Sequence, residues 1–184
     1  MSTDPSGHAA PAPPLLPAGP LPGVLEPDAV RHLVVHCSAT PDADDLGARE
    51  IHAMHLGFGW HGIGYHRVIR RDGRIEAGRP DCWIGAHVYG HNAVSLGVCL
   101  IGCDAFTDAQ FDALETVLRE WQALCPHAEI RGHRDFAYTA KTCPNFDVGA
   151  WCAARGLQPP LAVVTVPEEV RGSGLGGVPE SDST

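Results

Sequence analysis

Leu33-Val34-Val35 is an uninterrupted apolar run with His36 at its end. A continuous aliphatic run of this length, too short for a helix, reads as a buried strand over residues 33–37. That strand fixes where the His36 imidazole can go. Side chains alternate across a strand, so Cys37 is expected on the opposite face from His36, in the core and not beside it.

The remaining pattern intermixes helices and strands. Residues 47–56 read as a helix with Ile51 and Met54 inward, and residues 96–101 as a second central strand. Residues 65–69 and 74–77 form a hairpin across Arg71-Asp72-Gly73. Thr107-Asp108-Ala109-Gln110 is a capping box in front of Phe111, Leu114, Leu118 and Trp121, which recur at helical spacing. Glu129-Ile130-Arg131 is a short strand that delivers His133. Elements mixed in this way predict a single α/β domain, a sheet with helices packed on it. Its expected span is residues 29–157. Residues 1–28, rich in Pro, Ala and Gly, read as a disordered leader, and residues 158–184 as a flexible tail in which 161–166 could lie extended on the body.

A formal charge of -9 and a pI near 5.6 exclude a surface built for phosphates, so no direct nucleic-acid binding is expected. Arg70, Arg71 and Arg74 cluster, but around Asp72-Gly73, as solvated cations flanking a turn. The start Met1-Ser2-Thr3-Asp4-Pro5 lacks the pattern of a secretory signal and no segment is long enough to span a bilayer, so a cytoplasmic chain is expected. Seven cysteines, an odd number without repeated Cys-x-x-Cys pairs, fit reduced thiols, with Cys99 and Cys103 as small buried hydrophobes.

His133 and Cys143 flank a loop that carries Lys141, the only lysine among thirteen basic Lys and Arg residues. With His36 they make two imidazoles and a thiolate, a zinc set that leaves a fourth position for water, as catalytic zinc sites do. Such a zinc lowers the pKa of water and polarises a carbonyl, which suits amide or ester hydrolysis. Lys141 sits two residues before Cys143, where an ammonium would meet charge developing on a substrate oxygen; the alternative is an exposed loop lysine. Tyr65 is the candidate hydrogen-bond partner of the attacking water, or a core aromatic. His52 and His55 lie one turn apart on a helix, without a carboxylate or cysteine to complete a second metal set.

Val35-His36-Cys37-Ser38-Ala39-Thr40, Arg49-Glu50-Ile51, Gly59-Trp60, Gly64-Tyr65-His66, Arg71-Asp72-Gly73, Glu76-Ala77-Gly78-Arg79, Ser95-Leu96-Gly97-Val98-Cys99-Leu100 and Lys141-Thr142-Cys143-Pro144 together resemble the type 2 N-acetylmuramoyl-L-alanine amidases. The likeness runs in order over residues 32–151 and is nearest to the phage-lysozyme branch; animal peptidoglycan-recognition proteins are related. The resemblance implies a central mixed sheet flanked by helices, and one zinc held by His36, His133 and Cys143. It implies Tyr65 and Lys141 as catalytic partners, and His87 as a residue lining the substrate groove, although His87 alone could equally be a surface or packing histidine. The implied reaction is hydrolysis of the amide between N-acetylmuramic acid and L-alanine, with peptidoglycan as partner and the chain a monomer.

Muropeptide-recycling amidases of the superfamily carry a Glu on the central strand and an Asp as third ligand, where this chain has Cys99 and Cys143. The loop from His133 to Cys143 is slightly longer than in the phage enzyme, which bears on where Lys141 lies. The leading expectation is therefore a phage endolysin, synthesised in the host cytoplasm and reaching the wall through a holin-type lesion. Alternatives are a cytosolic recycling amidase, a noncatalytic recognition module, and a protein-binding regulator that inhibits a phage RNA polymerase, as the phage-lysozyme branch does.

Overall fold

The computed structural model describes residues 15–137 and 142–157. Its centre is β1 (His32–Cys37), paired in parallel with β4 (Ser95–Leu100) on one side and β5 (Glu129–Gly132) on the other. Next to β4 runs β2 (Arg67–Ile69), also parallel, and β3 (Ile75–Ala77) closes that edge antiparallel to β2. The result is a five-stranded mixed sheet in the order β3-β2-β4-β1-β5. All of β4 and every residue of β1 after His32 are buried, which is why these two strands show as continuous apolar runs in the sequence.

The alternation of side chains decides which face receives the site. Leu33 and Val35 of β1 and Leu96, Val98 and Leu100 of β4 pack with Leu114, Leu118 and Trp121 of α2 (Asp108–Leu124) and with Val148 and Cys152 of α3 (Val148–Ala154). The opposite face is covered by Ala48 and Ile51 of α1 (Ala48–Gly57) with Ile63, Val68 and Ile101. His36 follows Val35 and therefore turns towards the α1 side.

Caps fasten the helices to the sheet. Thr107 Oγ1 accepts the Gln110 N–H while Gln110 Oε1 accepts the Thr107 N–H, both at 3.1 Å, so the capping box forms as its sequence predicts. Gln110 is fully buried, and its Nε2 donates to the carbonyls of Ile101 (2.8 Å) and Ile69 (3.3 Å), tying the start of α2 to the ends of β4 and β2. Glu76 of β3 accepts the Ala48 N–H at 2.7 Å and Glu50 accepts the Gly47 N–H at 2.8 Å, so two carboxylates meet the N-terminus of α1.

Several sequence expectations change. Residues 15–28 lie on the body: Leu25 is 2% exposed, its N–H donates to Cys82 O, and Ile84 N–H donates to Gly23 O. Composition suggested disorder, but a few apolar anchors and paired backbone groups suffice where Pro and Gly take up little surface. Met54 is exposed, because the inward stripe of α1 runs through Ala48, Ile51 and His55 instead. Arg70 and Arg71 are not solvated flanks of the hairpin turn. Arg70 pairs with Asp45 (2.7 Å) and Glu76 (3.1 Å), and Arg71 donates to Gln110 Oε1 (3.0 Å) and Ala105 O (2.7 Å). Arg74 alone of the three stays exposed, paired with Asp72. The expected tail, residues 158–184, lies outside the described residues, as does 161–166 within it.

His66 is completely buried and fully bonded: Nδ1 accepts the Gly97 N–H at 2.9 Å and Nε2 donates to Trp83 O at 2.9 Å. Burial lowers its pKa to about 4, and lowers that of His55 to about 4 as well. Below the ordinary histidine pKa the unfolded chain binds protons that the folded chain refuses, so stability is complete above about pH 6.5 and falls towards pH 4. His66 contributes a slope of at most about 1.4 kcal/mol per pH unit, in a window above most carboxylate titration. Urea unfolding at about pH 7 and about pH 5 is expected to show a lower midpoint at the acid value; equal midpoints would contradict the buried neutral histidine.

Candidate metal centre

The register of β1 on β5 pairs Val35 with Gly132. The next residues, His36 and His133, therefore leave the two strands side by side, with ring centroids 4.6 Å apart. His133 opens the one-turn helix His133–Asp135, whose N-terminal Gly132 N–H is held by Asp135 Oδ2 at 2.8 Å. The chain then returns: Arg134 N–H donates to Cys143 O at 2.9 Å, and Asn145 Nδ2 donates to Cys103 O at 2.8 Å. Asn145, at φ 67°, takes the left-handed turn that asparagine tolerates better than most residues. These anchors bring Cys143 Sγ to 3.9 Å from His36 Nδ1.

Ligand atoms of His36, His133 and Cys143 all lie within 4.8 Å of one another. Zinc bonds of ~2.0 to 2.3 Å in a tetrahedron put ligand atoms roughly 3.3 to 3.8 Å apart, so the group fits zinc with a small contraction. Two imidazoles and one thiolate are also the borderline-soft donors that zinc takes in preference to harder cations.

Cys37 is the core residue expected, and it also meets the site. It is in the core at 4% exposure, as alternation requires, but it is the last residue of β1, and Cys143 comes over that end. The Cys37 N–H donates to Cys143 Sγ at 3.1 Å. Contact between the two thiols draws Cys37 down to about 7 and pushes Cys143 up, helped by burial. A coordinated cation would reverse that order, because a ligating thiol is deprotonated and the Cys37 N–H would then support the thiolate.

Tyr65 stands beside His36, with ring centroids 5.1 Å apart. Burial pushes its phenol well above the usual range, so at neutral pH it is an O–H donor. Its loop is held by Arg79, which donates to Ile63 O and Ile84 O, each at 2.6 Å. Cys99, the β4 residue paired with His36, is fully buried and its thiol is raised by burial. It offers no base at neutral pH. Lys141 lies outside the described residues.

His87, expected along the substrate groove, is a largely buried neighbour of His36. It is 8% exposed, with Nδ1 3.0 Å from His36 Nε2 and Nε2 3.4 Å from Ser95 Oγ. It stands behind His36, with both ring nitrogens facing partners. Sequence reasoning did not single out Ser95 or Asn92, whose Oδ1 accepts the backbone N–H of His87 (2.8 Å) and of Val88 (3.0 Å). A signal was present in Gly97, a glycine inside an apolar strand, which marks a close approach. A Cβ there would stand 2.7 Å from the His87 ring. His52 and His55 accept the backbone N–H of Ile63 (3.2 Å) and Gly64 (3.0 Å), fastening that loop to α1.

An α/β domain with a His, His, Cys group at the end of its central strand is the class these elements define. The chain belongs to the N-acetylmuramoyl-L-alanine amidase family, which matches residues 26–146. It is 47% identical over 125 residues to the endolysin of Enterobacteria phage K11, covering 64% of this chain and 82% of the relative. Among solved structures, the N-acetylmuramoyl-L-alanine amidase LysC from Clostridium intestinale superposes with a TM-score of 0.67 at 27% identity, over 78% of this chain and 95% of that one. Bumblebee PGRP-SA shares the fold, with a TM-score of 0.60 at 23% identity over 69% and 81% of the two chains.

Removing one sulfur at a time separates ligand from neighbour. Cys143→Ala is expected to lose most bound zinc on dialysis, whereas Cys37→Ala retains about one equivalent; metal analysis of the dialysed proteins reads the difference. Equal retention by both variants would remove Cys143 from the ligand set.

Proposed function

We propose that this chain is a zinc-dependent peptidoglycan hydrolase that cleaves the amide between N-acetylmuramic acid and L-alanine, working as a phage endolysin. The observation that carries the reading is the convergence of His36, His133 and Cys143 within a chain of the amidase family. Identity to a phage endolysin over most of that protein's length supports the setting. In that setting the enzyme is made in the host cytoplasm and acts on the wall after membrane disruption. Among the described residues no helix is long and apolar enough to cross a membrane.

When bound, zinc supplies Lewis acidity towards a carbonyl and brings the pKa of a water towards about 7. The protein's own groups do the rest. Tyr65, kept protonated by burial, donates a hydrogen bond that orients the attacking water. Lys141 is assigned the ammonium that meets negative charge developing on the lactyl oxygen. Water adds to the lactyl carbonyl carbon, the C–N bond breaks, and the alanine amine leaves carrying a proton that the attacking water gives up.

A recycling amidase is the runner-up activity on this fold. It is disfavoured because Cys99 stands on the central strand where that reading calls for a carboxylate base.

Purified sacculi are expected to release L-alanine-terminated stem peptides with zinc-loaded protein, to lose that release after chelation, and to regain it when zinc is restored. Unchanged release by stripped protein would overturn the metal dependence. Tyr65→Phe is expected to keep its zinc and lower turnover at least about tenfold, within the range of general acid–base contributions; full turnover would remove Tyr65 from the reaction.

A further inference from the structure

We propose that His87 is a positioning residue that fixes the tautomer of His36, presenting Nδ1 as a lone pair to the metal before the metal arrives. The inference rests on the reading of His36 as a ligand, and goes beyond it by assigning the device that prepares the ligand.

Ser95 Oγ lies 2.8 Å from the backbone carbonyl of His91, which can only accept, so the Ser95 hydroxyl proton is committed there. The Ser95 oxygen then faces His87 Nε2 at 3.4 Å with lone pairs only, and Nε2 must carry the proton of this long bond. A neutral imidazole has one N–H, so His87 Nδ1 is an acceptor. At 3.0 Å from it, His36 Nε2 is the donor. His36 Nδ1 is left unprotonated, and this is the nitrogen 3.9 Å from Cys143 Sγ. One backbone carbonyl thus sets the direction of three successive bonds. In water the two tautomers of an imidazole interconvert freely; here one of them strands a buried donor against a donor.

The surroundings are built to hold the His87 ring. Asn92 Oδ1 accepts two consecutive backbone N–H groups at His87 and Val88. Gly97 on β4 leaves the space the ring fills. Burial of His87 and Ser95 excludes the water that would otherwise satisfy either tautomer.

The test uses the full chain as wild type, His87→Leu and His87→Gln. Leucine fills space without accepting a bond; glutamine offers Oε1 to His36 and an N–H to Ser95. Zinc affinity by competition with a chromophoric chelator is expected to fall about 10- to 100-fold in His87→Leu, the range for loss of such partners, and to recover largely in His87→Gln. Imidazole 15N spectra of the chelator-treated chain are expected to show His36 as the Nε2–H tautomer in wild type and as a mixture in His87→Leu. An Nδ1–H tautomer in wild type, or unchanged zinc affinity in a folded His87→Leu, would overturn the proposal. If the wild-type chain binds no zinc at all, the metal reading fails, and the 15N spectra still decide the tautomer.

Discussion

The parallel pairing of β1 with β5 is the constraint on which the site depends. With Val35 opposite Gly132, the two histidines that follow emerge level, and a slip of one residue would send one of them to the far face. Burial supports that register: Leu33 and Val35 of β1 and Ile130 of β5 share one buried cluster, and a one-residue slip would turn one strand's apolar set away from it. The hydrophobic core therefore sets the spacing between two polar side chains that take no part in it.

Cys143 reaches the site by different means. No strand carries it; it is held by backbone and amide bonds from Arg134 and Asn145 and by the Cys37 N–H at the end of β1. The central strand thus contributes twice, an imidazole from one face and a backbone donor from its terminus. Behind that first layer, His87, itself backed by Ser95, engages His36 from inside the protein, while Tyr65 approaches from the loop preceding β2.

Much of the fold was legible because its signals are local. The apolar runs of β1 and β4, the Thr107–Gln110 capping box and the turn at Asp72-Gly73 each follow from residues close in sequence. What was not legible depends on partners far along the chain. Residues 15–28 look disordered by composition, yet pair with Cys82 and Ile84. Arg70 and Arg71 look like turn cations, yet are drawn down onto Asp45, Glu76 and Gln110. The three candidate ligands were legible from residue type and family resemblance. The place of His87 was not, because its role turns on Ser95, whose hydroxyl direction is fixed by a carbonyl that no side-chain pattern reveals.

X-ray absorption at the zinc edge of the full chain tests the central claim most directly, because it counts sulfur and nitrogen around the metal without reference to activity. The account predicts one sulfur at ~2.3 Å and two imidazole nitrogens at ~2.0 to 2.1 Å, with one further light atom completing a tetrahedron. Two sulfurs would bring Cys37 into the ligand set, and a shell of oxygen and nitrogen alone would remove Cys143; either result contradicts the site described.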